Sequence, residues 1–152
     1  MKAAILHRPR DLRVEDVRDP APEPSEVVVR IVAAGLCGTD HEIWSGGRPV
    51  AYPRVMGHEL VGRVERVASD VADVRPGDPV VIEPNYSCGR CPLCREGNRN
   101  LCLSRITIGI NVDGGFAELV RVPARCCRPT AAGADRDALL LAEPLAVVVR
   151  AR

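Results

Sequence analysis

Between Asn85 and Arg105 the chain loses its hydrophobic periodicity and places cysteines at 88, 91, 94 and 102, which restricts its folding more than any other feature. A lobe of about 20 residues cannot bury enough apolar surface to order itself, so something other than a core must hold it. The spacing Cys88-x2-Cys91-x2-Cys94-x7-Cys102 meets that need. Each two-residue gap lets the backbone wrap back on a metal, Gly89 and Gly97 relax the turns, and four thiolates close a tetrahedron around one zinc ion. Metal binding then supplies the missing folding energy, on the order of 10 kcal/mol. An iron–sulfur cluster is the main rival. Against it, the last gap is seven residues, the proline follows the second cysteine and not the fourth, and no second run exists.

The remaining cysteines fit the same picture. Seven in all is an odd count, and the opening Met1-Lys2-Ala3-Ala4-Ile5-Leu6-His7 becomes charged too soon for a signal peptide, so a disulfide framework is not expected. The chain is read as cytoplasmic. At 152 residues it holds one domain with a real core, and 46% hydrophobic with 27% charged residues is ordinary for a water-soluble protein. No apolar run reaches membrane-spanning length, so no membrane partner is expected. A formal net charge of +1 and 3% aromatics argue against nucleic acid as a partner.

Punctuation along the chain predicts a mainly β fold with short helices. Strands are expected over residues 2–6, 12–17, 26–34, 60–67, 79–83 and 116–122, from β-branched runs and alternation. Pro20, Pro22 and Pro24 make residues 20–24 a stiff connector. A short helix is expected from Thr39 to Trp44, capped by Thr39 or Asp40 and ended by Gly46-Gly47. Two more are expected at the end, over residues 136–141 and from Pro144 onward. Gly114-Gly115 reads as a turn into the strand after it. Cys126 and Cys127, on a strand, would point to opposite faces, one buried and one near the surface. Trp44 and Tyr52 suit either core packing or a substrate cleft.

A second metal site can be assembled from separated residues. Cys37 follows a predicted strand, and His58-Glu59 follow the turn Val55-Met56-Gly57, so a thiolate, an imidazole and a carboxylate can converge where strands end. Three such ligands suit zinc and leave a position open for water or substrate. Taken singly, His58-Glu59 also suits an ordinary surface pair. Asp40 reads either as a helix cap or as the acceptor for the other ring N–H of His58, and the roles are compatible.

The stretch Gly57-His58-Glu59-x2-Gly62-x5-Ala68-x2-Val71 resembles the zinc signature of the zinc-dependent medium-chain dehydrogenase/reductase family. Cys37-Gly38-Thr39-Asp40 is similar to its first-ligand motif, the four-cysteine lobe to its structural zinc, and residues 141–146, containing Glu143-Pro144, to the segment before its coenzyme domain. The resemblance implies a GroES-like barrel over residues 1–152, the lobe at about 85–105, and a Rossmann coenzyme domain expected after residue 152. It implies two zinc ions per chain. Cys37 and His58 would be ligands of the catalytic zinc, Glu59 a ligand exchanging with water, and Glu143 a further one, direct or through water. Glutamate at this last position is typical of relatives acting on polyols, sugars or threonine.

The implied activity is NAD- or NADP-dependent oxidation of a secondary alcohol, in a full-length homodimer or homotetramer. Thr39 would hydrogen-bond the substrate oxygen and pass its proton outward. Many relatives carry histidine five residues past the cysteine ligand, where Glu42 stands here; His41 lies about 100° away on a helix and is expected at the surface. No Gly-x-Gly-x-x-Gly occurs, so these residues offer no platform for a hydride acceptor and are expected to be inactive alone. The contrasting reading is a non-catalytic binding module that needs only the four-cysteine zinc.

Overall fold

The computed structural model describes residues 1–151. Its elements, in chain order, are β1 (Lys2–Arg8), β2 (Asp11–Asp16), β3 (Glu26–Gly35), α1 (Gly38–Ser45), β4 (Arg54–Val55), β5 (Glu59–Val67), β6 (Pro79–Ile82) and β7 (Asn85–Tyr86). There follow α2 (Pro92–Arg95), β8 (Ile106–Thr107), β9 (Leu119–Pro123), β10 (Cys127–Pro129), α3 (Arg136–Leu140) and α4 (Ala142–Arg150). The strands form a five-stranded sheet in the order β10-β6-β5-β3-β9, a three-stranded sheet β2-β1-β4, and the hairpin β7-β8, all antiparallel.

β-branched residues dominate the large sheet because their stiff side chains pack well on a pleated surface. Val27, Val29, Leu60, Val64, Val80, Ile82, Val120 and Val122 form the main core between its strands. A second cluster, Leu6, Ile43 and Met56, fastens α1 to the smaller sheet. Trp44 and Tyr52 pack against that cluster, and the Tyr52 hydroxyl donates to the Ile43 carbonyl at 3.4 Å. α3 packs on β5 and β3, and α4 on β5. Among the described residues, no helix is long and apolar enough to cross a membrane.

The structure corrects several sequence expectations. The cap of α1 is Cys37, not Thr39 or Asp40; the helix starts at Gly38, one residue earlier than expected, because Asp40, at its third position, reaches back to accept from the Cys37 N–H at 3.0 Å. The strand expected over 116–122 divides, since Ala117 bridges to Ala3 in the small sheet before the chain joins β3 at Leu119. Cys126 and Cys127 are both buried, at 1% and 5% exposure. Strand alternation does not apply to them because Cys126 ends a 3-10 turn and only Cys127 enters β10. The expected structureless excursion is pinned at its base by the two-residue hairpin β7-β8.

Candidate metal centres

Antiparallel pairing decides what lies at the end of β3. Gly35, its last residue, sits opposite Glu59, the first residue of β5. Cys37 lies just beyond one strand and His58 just before the other, so the pairing that buries Val27, Val29, Leu60 and Val64 also brings these side chains together. Cys37, His58 and Glu59 present ligand atoms that all lie within 4.8 Å of one another.

The loop before His58 is held by backbone contacts that exclude side chains. Gly57 takes φ +93°, in the left-handed region that favours glycine. Its carbonyl accepts from the Gly115 N–H at 3.0 Å, and the Met56 carbonyl accepts from Phe116 N–H at 2.9 Å. A Cβ on Gly114 would lie 2.2 Å from the Gly57 oxygen, so Gly114-Gly115 is a packing surface for this loop as well as a turn. Sequence reasoning missed that role; the signal available was the glycine pair itself.

Behind His58 stands Asp40, 1% exposed, with Oδ1 3.6 Å from Nδ1 of the ring. That is ion-pair distance, longer than a formed hydrogen bond, and among the described residues neither atom has another partner. The facing carboxylate raises the His58 pKa from 6.5 to about 9, against the opposing effect of burial. Asp40 therefore does two things at once, closing the α1 cap with Oδ2 and facing His58 with Oδ1.

Other sequence candidates take varied positions. Thr39 is half-buried in the first turn of α1; Glu42 and His41 are exposed on the same helix. Glu143, in the first turn of α4, is half-buried near the cluster and outside the three-residue set. Burial raises its carboxyl pKa; His58 lowers it and Glu59 raises it, so all three share one electrostatic environment.

The lobe brings Cys88, Cys91, Cys94 and Cys102 within 4.8 Å of one another. Cys102 Sγ lies 3.5 Å from Cys88 Sγ and 4.0 Å from Cys91 Sγ. Sulfurs at the corners of a tetrahedron with 2.3 Å bonds stand about 3.8 Å apart, so one zinc fits between them and a disulfide does not. Cys91 caps α2, with Pro92 in its first turn. Backbone N–H groups of Arg90 and Cys91 bring the Cys88 thiol down to about 6, while burial pushes Cys94 up to about 11. At the first centre, a soft thiolate, an imidazole backed by a buried carboxylate and a hard carboxylate are also a zinc-compatible set.

Residues 23–132 match the alcohol dehydrogenase GroES-like domain. The chain belongs to that family. This domain is 36% identical to the L-galactonate-5-dehydrogenase of Escherichia coli K12, over 99% of the chain and 44% of the relative. It superposes on galactitol-1-phosphate dehydrogenase from Escherichia coli with a TM-score of 0.92 and 33% identity, covering 99% of the chain and 44% of that structure. An alcohol dehydrogenase from Escherichia coli CFT073 complexed with the cofactor NADH also matches with a TM-score of 0.92 and 33% identity, over 98% of the chain and 44% of that structure. The GroES-like domain thus spans under half the length of the relatives it matches.

Proposed function

We propose that this domain is the catalytic, two-zinc part of an NAD(P)-dependent alcohol dehydrogenase that oxidises a secondary alcohol of a polyol or sugar. The observation that carries the reading is the convergence of Cys37, His58 and Glu59 on one point, with Asp40 buried behind the imidazole. Similarity to galactonate and galactitol-phosphate dehydrogenases supports the polyol class. Similarity to a dehydrogenase complexed with NADH supports a nicotinamide coenzyme, held by a domain outside these 152 residues.

Zinc held by Cys37, His58 and Glu59, with Glu143 as a further ligand directly or through water, would supply Lewis acidity that lowers the pKa of an alcohol. The chain's own residues orient and move protons. With Nδ1 turned to Asp40, Nε2 of His58 is the nitrogen left to ligate, and the buried carboxylate fixes that tautomer. Thr39, two residues past Cys37 on the first turn of α1, offers a hydroxyl that hydrogen-bonds the substrate oxygen and takes up its proton while passing its own outward. Glu42, exposed three residues further along the same helix, is the group assigned to carry that proton on to water or to bind a further substrate hydroxyl. The carboxyl of Glu143, half-buried in the first turn of α4, shares the electrostatic environment of His58 and Glu59.

Two measurements test the reading. Metal analysis of the 152-residue chain should find two zinc ions, one of them lost in Cys37→Ala; a single zinc unaffected by that change leaves only a zinc-stapled binding module. The same chain alone should not reduce NAD or NADP with polyols, and robust turnover would overturn the placement of the coenzyme elsewhere.

A further inference from the structure

Gly35 ends β3 directly opposite Glu59. A Cβ built on it would lie 2.0 Å from Glu59 Oε2, 2.9 Å from the Glu59 Cβ and 3.1 Å from its Cδ. Real Cβ atoms do not approach so closely. The φ of Gly35 lies outside the left-handed region, so the backbone does not require glycine here, and the reason for one is space. What fills that space is the carboxylate that joins Cys37 and His58.

We propose that Gly35 is a positioning residue for Glu59: its missing side chain is the berth that keeps the Glu59 carboxylate within reach of the Cys37–His58 centre. The inference rests on the reading of that centre as a metal site. A methyl group at position 35 would overlap the Glu59 carboxylate most severely, at 2.0 Å from Oε2, and crowd its Cβ at 2.9 Å, so the carboxylate is displaced and the β3–β5 ladder gives slightly. Gly62, on the same strand pair, behaves differently. A Cβ there would lie 2.5 Å from the Arg30 carbonyl oxygen and 2.5 Å from Val29 Cγ1, so substitution strains the sheet itself and leaves the Glu59 berth alone. Both substitutions strain the strand pair, but only the one at Gly35 displaces the carboxylate, so Gly62→Ala is the control for strain alone.

The test is a Co2+ titration of the full 152-residue chain, read by visible absorption, for the unaltered chain, Gly35→Ala, Glu59→Ala, the double variant and Gly62→Ala. The unaltered chain should take up two Co2+, one at the lobe and one at the Cys37 centre. Gly35→Ala should weaken the second by about ten- to a hundred-fold and shift its ligand-field bands toward those of Glu59→Ala. Adding Gly35→Ala to Glu59→Ala should then change nothing further, because the group it displaces is gone. Gly62→Ala should lower the unfolding temperature with the bands of the second site unmoved. Unchanged affinity and bands in Gly35→Ala overturn the role of Gly35 alone, as do additive losses in the double variant. Uptake of a single Co2+ by the unaltered chain overturns the metal reading and this inference with it.

Discussion

The two ligand clusters of this domain are built in opposite ways. The four cysteines of the lobe lie close along the chain, half of them are only partly buried, and their segment is closed at its base by the hairpin β7-β8, with Arg125 donating to the Ser87 carbonyl from outside it. Cys37, His58 and Glu59 lie on the two sides of an antiparallel ladder whose other residues form the core. A metal at the lobe therefore makes local structure, whereas at the second centre local structure exists first and presents the ligands. Four candidate ligand atoms cluster in the lobe and three at the second centre, and a three-ligand set is the kind that leaves a position for water or substrate.

The largest expected effect would break that contrast most directly. Cys102→Ser should abolish one metal site and unfold the lobe, because a structural zinc supplies on the order of 10 kcal/mol to a segment without a core of its own. Limited proteolysis should then cut within residues 88–105, while amide exchange in the five-stranded sheet stays slow. Loss of sheet protection together with lobe cleavage would mean that the two regions fold as one unit. His58→Ala is the converse. It should remove the other metal and leave the lobe resistant to protease, while lowering the stability of the sheet, since the buried Asp40 carboxylate loses the imidazole it faces.

A smaller change sharpens the comparison at the second centre. Asp40→Asn keeps an oxygen to accept from the Cys37 N–H, so the cap of α1 survives, but it removes the charge facing His58 Nδ1. Metal affinity at this centre should fall about ten- to a hundred-fold with the lobe site unchanged. Equal weakening at both sites would show that Asp40 acts through overall stability. A metal titration followed with a chromophoric chelator reads the two affinities separately.

How legible each region was follows from the same difference. The lobe could be read from spacing because its ligands are local in sequence. The convergence of Cys37 with His58-Glu59 could be proposed from strand ends, since an antiparallel neighbour returns the chain to where the previous strand stopped. What could not be read depends on contacts between distant segments. The cap of α1 was misplaced because cysteine is not a usual cap residue, and only the fold shows Asp40 reaching back to it. Glu143 was reached only through resemblance, because nothing local says where α4 packs. The berth at Gly35 was invisible for the same reason: a glycine at a strand end has many readings until its neighbour across the ladder is known.

The smallest predicted effect uses the core thiols as an internal control. Cys126 and Cys127 belong to the main core and to neither ligand set; burial pushes their pKa values up to about 11 and about 12, from an ordinary 9.0. A thiol whose folded pKa is raised binds its proton more tightly in the fold, so its contribution to stability is complete below pH 9 and is lost as pH rises toward the folded value. At pH 10 each should cost the fold roughly 1 kcal/mol relative to pH 8, read as a lower urea midpoint. The Cys88 thiol, held down to about 6 by backbone N–H groups, acts in the opposite sense, because only the unfolded chain still gives up that proton near pH 9, and so it offsets part of the slope. Replacing Cys126 and Cys127 with alanine should flatten the alkaline slope while lowering stability at every pH through the cavities left behind. If the slope persists, the core thiols are not its source and the alkaline loss comes from the lobe, where Cys94 is also pushed up to about 11.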